Sequence, residues 1–146
     1  MASIIRETRI DADPADVWEA LRDFDAVHER LAPGFVVDCR VDGPGSRVVT
    51  FFNGAVAREV LVGVDDLARR LAYTVVEGPL GSTHHNASAQ VLEDRGGSRF
   101  VWITDVLPDD VAATIGEMMD GGLAVIRQTL ESQASRTMSR VRGRCA

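Results

Sequence analysis

The clearest hydrophobic pattern lies near the end of the chain, where Ile115, Met118, Met119, Gly122, Leu123, Ile126 and Leu130 recur at three- and four-residue steps. That spacing places them on one side of a helix over residues 109–131, with Glu117, Asp120, Arg127 and Glu131 mostly turned away. At the other end, residues 3–10 alternate Ile4, Thr8 and Ile10 against Glu7 and Arg9, the period of a half-buried strand. Asp13-Pro14-Ala15-Asp16 then supplies a cap, a first-turn proline and an acidic residue, so a helix begins there and buries Val17, Trp18 and Leu21. It should end near Phe24, with a second short helix over 26–31 before Pro33-Gly34 breaks it.

From Phe35 the period becomes two. Strands are expected over 35–41, 47–52, 55–64, 70–77, 84–92 and 99–107, separated by turn-forming residues. Asn53-Gly54 is the strongest hairpin signal, because both positions of a two-residue turn must accept positive φ. The element order is strand, two short helices, six strands, long helix: an α+β chain with a seven-stranded antiparallel sheet. Short strands cannot shield their own apolar face, so the long helix is expected to lie across it. A curved sheet gripping one helix leaves a space between them, and function is expected there.

A length of 146 residues is one ordinary domain, expected over 1–134 with a disordered, arginine-rich tail over 135–146. Hydrophobic residues at 45% and charged residues at 26% describe a globular chain. The net charge of -6 argues against nucleic acid as a partner. No apolar run reaches membrane-span length and the N-terminus opens into a strand, so a cytoplasmic location is expected. Cys39 and Cys145 form no framework and are expected to be reduced. All sixteen basic residues are arginine, which removes Schiff-base and P-loop lysines. Three histidines and two distant cysteines without a ligand spacing argue against a metal, and no cofactor is expected. A serine-hydrolase elbow is also missing.

The element order, the Asp13-Pro14-Ala15-Asp16-Val17-Trp18 opening, Arg58-Glu59 in the fourth strand, the Asp65-Asp66 turn, Tyr73 and Trp102 together resemble the START-like helix-grip superfamily (SRPBCC). Its polyketide cyclase/dehydrase and lipid-transport branch is the nearest in pattern, over residues 3–132. The resemblance implies an apolar cavity between sheet and C-terminal helix, and an acidic pocket residue at the position of Glu59. By alternation Ala57, Glu59 and Leu61 share one strand face, whereas Val56, Arg58, Val60 and Val62 share the other. Glu59 is therefore a ligand anchor or acid/base, or alternatively half of a cross-strand ion pair at the sheet rim. His85 shares its face with Ala87, Ala89 and Val91 and is a candidate base, the alternative being a structural histidine. Tyr73 offers a phenol to the same space, and Trp102 borders it. Met118, Met119, Gly122 and Ile126 would form the helix wall, although ordinary core is the more frequent explanation of such methionines. Gly121-Gly122 in mid-helix suggests close packing or reserved space. The loops at 78–81 and 43–46 resemble, in position, loops that close over the pocket mouth in relatives.

Three functions follow: binding of a small, largely apolar molecule such as a polyketide, lipid or aromatic metabolite; cyclisation or dehydration of a poly-β-keto chain by Glu59, Tyr73 or His85; or protein interaction through the sheet exterior. A monomer or weak homodimer is expected.

Overall fold

The computed structural model describes residues 2–144; Cys145 and the end of the tail lie outside them. In chain order, β1 (Ala2–Ile10) is followed by α1 (Pro14–Arg22), then a 3₁₀ turn (Phe24–Ala26) that runs into a π-helical turn (Val27–Leu31). Six strands come next: β2 (Val36–Val41), β3 (Ser46–Phe51), β4 (Val56–Asp65), β5 (Arg70–Glu77), β6 (His84–Asp94) and β7 (Gly97–Leu107). The chain closes with α2 (Ala112–Arg144). All seven strands form one antiparallel sheet in the order β1-β7-β6-β5-β4-β3-β2, so the meander runs back until β7 pairs with β1.

Local chemistry places these elements. The Asp13 carboxylate accepts from Ala15 N–H at 2.8 Å, and Pro14 fills the first helical position, where no N–H is needed. The second short helix is not α-helical: Ala32 N–H reaches Val27 O at 2.8 Å, a five-residue step. Trp18 buries its ring and donates from Nε1 to Asp66 Oδ1 at 3.0 Å, tying α1 to the β4–β5 turn.

The β3–β4 hairpin departs from its expected geometry. At β3–β4 only Gly54 has positive φ (86°), Gly54 N–H bonds Phe51 O, and Phe51 N–H bonds Ala55 O. The loop is thus three residues long, Phe52 to Gly54, with glycine in the left-handed position, instead of a two-residue Asn53-Gly54 turn. Positive φ at both central residues occurs at β6–β7 instead, at Arg95 (49°) and Gly96 (80°). The extra loop residue at β3–β4 shifts the register so that Arg47 pairs with Glu59.

Helix α2 buries Ile115, Met119, Gly122, Leu123, Ile126 and Leu130 against the sheet. Each large side chain removed from water contributes about 1.5–3 kcal/mol. Two glycines allow close approach. A Cβ at Gly116 would sit 2.8 Å from Arg6 Nη2 of β1, and one at Gly122 would sit 3.1 Å from Trp102 Cζ3 and 3.2 Å from Phe35 Cε1. Arg6 in turn pairs with Asp120 at 2.9 Å, which fixes β1 to the helix. The helix does not end near Glu131: it continues to Arg144, so residues 135–144 are helical where a disordered tail was expected. Once a helix is nucleated, each further residue adds a hydrogen bond without a new nucleus, which lets it run beyond its packed part.

Candidate functional site

Between α2, the inner face of β3 to β7 and the helical turns at 24–31 lies a cavity of about 420 Å³. That is within the usual range of small-molecule sites, about 300–1,000 Å³. Leu71, Tyr73 and Val75 of β5, His85 and Ala89 of β6, and Phe100, Trp102 and Thr104 of β7 line one side. Phe24, Val27 and Leu31 close one end, and Ile115, Met118, Met119, Gly122 and Ile126 form the helix wall.

Its polar centre is a buried ion pair. Glu59 and Arg47 are only 6% and 7% exposed. Arg47 donates from Nε to Glu59 Oε1 at 2.9 Å, and its Nη2 lies 2.7 Å from the same oxygen. Arg47 Nη1 also donates to the Phe24 carbonyl. The guanidinium stacks 3.6 Å from the Phe24 ring centroid and lies 5.6 Å from that of Tyr73. Burying an ion is costly unless it is paired and hydrogen-bonded, and this cation gains an anion, a carbonyl and two aromatic faces.

Burial, followed by the Glu59 carboxylate, pushes the Tyr73 phenol well above its ordinary range, so it stays a donor at neutral pH. The Trp102 indole pulls weakly the other way, yet its Nε1–H is buried with no partner at hydrogen-bond geometry. Burial and the neighbouring His84 lower the His85 imidazole to about 4, which makes it neutral and only weakly basic at pH 7.

Of the residues expected at the site, Glu59, Tyr73, His85, Trp102, Met118, Met119, Gly122 and Ile126 line the cavity. Leu61 and Ala87 do not. Ala87 is buried between its strand partners Tyr73 and Thr104, and Leu61 is half-buried beside an irregularity in the β4–β5 pairing. Residues 78–82 reach the cavity, whereas the turn at 43–46 does not. The two readings of Glu59 merge: it makes a cross-strand ion pair, but in the cavity wall and not at the rim. On the opposite sheet face Val56 and Val62 are exposed and Val60 is half-buried. Arg47, Phe24 and Phe35 are site residues that pattern reading missed. The available signal was that Arg47 alternates in phase with the buried Val49. Among the described residues no His/Cys/Asp/Glu group could hold a metal, and Cys39 is a free thiol.

No helix among the described residues is long and apolar enough to cross a membrane. Among solved structures, a protein from Thermobifida fusca is 30% identical with a TM-score of 0.70, covering 93% of this chain and 95% of that one. A norcoclaurine synthase point mutant from Thalictrum flavum, in complex with a transition-state analogue, is 20% identical with a TM-score of 0.70 over 94% and 96%. A START superfamily protein from Mycobacterium smegmatis is 11% identical with a TM-score of 0.69 over 92% and 98%. The last two show the shared fold. No curated protein matches the chain in sequence. The family model described as polyketide cyclase/dehydrase and lipid transport matches residues 1–133, and the chain belongs to that family.

Proposed function

We propose that the protein binds a small, largely apolar molecule, of polyketide, lipid or aromatic character, in the cavity between sheet and α2. The observation that carries this reading is an apolar cavity of about 420 Å³ with a few polar groups gathered on its wall. The hydrophobic walls supply affinity, and the polar groups orient the ligand. The Glu59 carboxylate has lone pairs beyond those met by Arg47 and can accept a ligand hydroxyl, whereas the Tyr73 phenol and the Trp102 Nε1–H can donate to a carbonyl.

Recognition is favoured over catalysis by the protonation states. A general base works best with a pKa near the operating pH, and His85, lowered to about 4, is far from it. Tyr73 is shifted away from neutrality in the other direction. Glu59 is already engaged by Arg47.

The test is denaturing mass spectrometry of freshly purified protein, to identify a co-extracted small molecule, with titration of a fluorescent hydrophobic probe. Glu59→Gln and His85→Ala are compared with the parent, and all three are assayed on a poly-β-ketone. Weakened probe binding without turnover in the parent supports the proposal. Parental turnover that either substitution abolishes while binding persists replaces it with an enzyme. A parent that binds neither probe nor extracted ligand removes it.

A further inference from the structure

The last ten described residues of α2 have a surface that the cavity does not use. Every side chain from Ser135 to Arg144 is exposed, including Met138 (57%) and Val141 (54%). The whole chain has a formal charge of -6 and residues 132–146 carry four arginines and no acid, so residues 1–131 carry -10. The molecule is therefore an acidic body with a cationic helix projecting from it. That helix continues α2 about 20 Å past Leu130 at the usual rise per residue. It leaves the body where Glu131 receives the Asp11 backbone N–H, away from the 78–82 loop at the other end of the sheet.

The residue order gives this extension two faces. Ala134, Met138 and Val141 follow at steps of four and three and form a narrow apolar stripe. At about 100° per residue, Arg142 and Arg144 fall roughly 80° to either side of that stripe, and Arg136 and Arg140 lie one turn apart on the back. In water this arrangement is unfavourable, because like charges one turn apart repel and the stripe faces solvent. Against a surface of anionic headgroups both costs reverse: flanking arginines reach the phosphates while the stripe settles at the acyl boundary.

We propose that residues 135–144 of α2 dock the protein on an anionic lipid surface, with the acidic body held away from it. A nucleic acid would use the arginines but leave Met138 and Val141 in water, and the charge of the body would repel it. An acidic patch on a second copy would neutralise the arginines, but offers nothing specific to the stripe.

The experiment is co-sedimentation of the full chain with phosphatidylcholine vesicles, either pure or containing about 30% phosphatidylserine. The parent should bind the anionic vesicles at low salt and ignore the pure ones, with a loss of about tenfold or more in high salt. Arg136→Ser, Arg140→Ser, Arg142→Ser and Arg144→Ser combined should reduce binding by about tenfold or more. Met138→Ser with Val141→Ser should reduce it a few-fold. An unchanged melting temperature in both variants shows that the body is intact. Equal binding by parent and four-arginine variant overturns the proposal. So does a parent that ignores anionic vesicles but uses the same arginines to bind a single-stranded RNA homopolymer or to self-associate in sedimentation velocity.

Discussion

Arg47 and Glu59 face each other across the β3–β4 hairpin, and two guanidinium nitrogens lie 2.9 and 2.7 Å from one carboxylate oxygen. The pair gives the cavity a polar centre without giving it a net charge. Removing one partner leaves the other ion buried without compensation, which costs about 3–5 kcal/mol, whereas replacing both with well-packed apolar residues is often near neutral. Arg47→Met and Glu59→Leu should each destabilise the fold by that amount, and the double variant by about 1 kcal/mol or less, as read by urea denaturation. Additive losses would show that the two side chains are not coupled.

Histidine 85 should titrate far below an ordinary histidine. Its folded value is about 4 against 6.5 for a free side chain, so between these pH values the unfolded chain binds the proton more readily. This contribution to stability is complete above pH 6.5 and is lost as the pH falls toward 4. His85→Gln should flatten that part of the pH–stability curve, and the parental imidazole resonances should move with a midpoint near 4. A midpoint near 6.5 would place the ring in water.

Ile126 and Arg127 are neighbours about 100° apart around α2, one 4% exposed and the other exposed at the surface, where it makes a 3.3 Å pair with Glu131. Ile126→Asp buries an unpaired carboxylate and should cost several kcal/mol, about 3–5. Arg127→Asp should cost about 0.5 kcal/mol or less. Equal losses in thermal denaturation would contradict the orientation of the helix.

Among the described residues, truncation after Ser135 removes only exposed side chains, while Ala134, which packs against the core, remains. The melting temperature should stay within about 3 °C of the parent, because exposed helical residues contribute little beyond propensity. A larger drop would mean that the extension stabilises the body.

Local pattern determined much of this protein. Alternation and turn residues located all seven strands, the Asp13-Pro14 cap located α1, and three- and four-residue spacing located the face of α2, because these signals act between near neighbours. Alternation also grouped Glu59, Tyr73 and His85 with their same-face neighbours, since a strand that is buried on one face has only two possible phases, and the family resemblance suggested which phase faces the cavity. Only the tertiary structure decided what those residues meet. A two-residue Asn53-Gly54 turn would have set Glu59 opposite Val48; the three-residue loop moved the register by one position and brought Arg47 inward. Phe24 joined them from a turn more than twenty residues away, and Phe35 reached the cavity because Gly122 lacks a Cβ. These partnerships depend on loop geometry and on packing between distant segments, and the energy differences that choose among them are not written in the spacing of any single element.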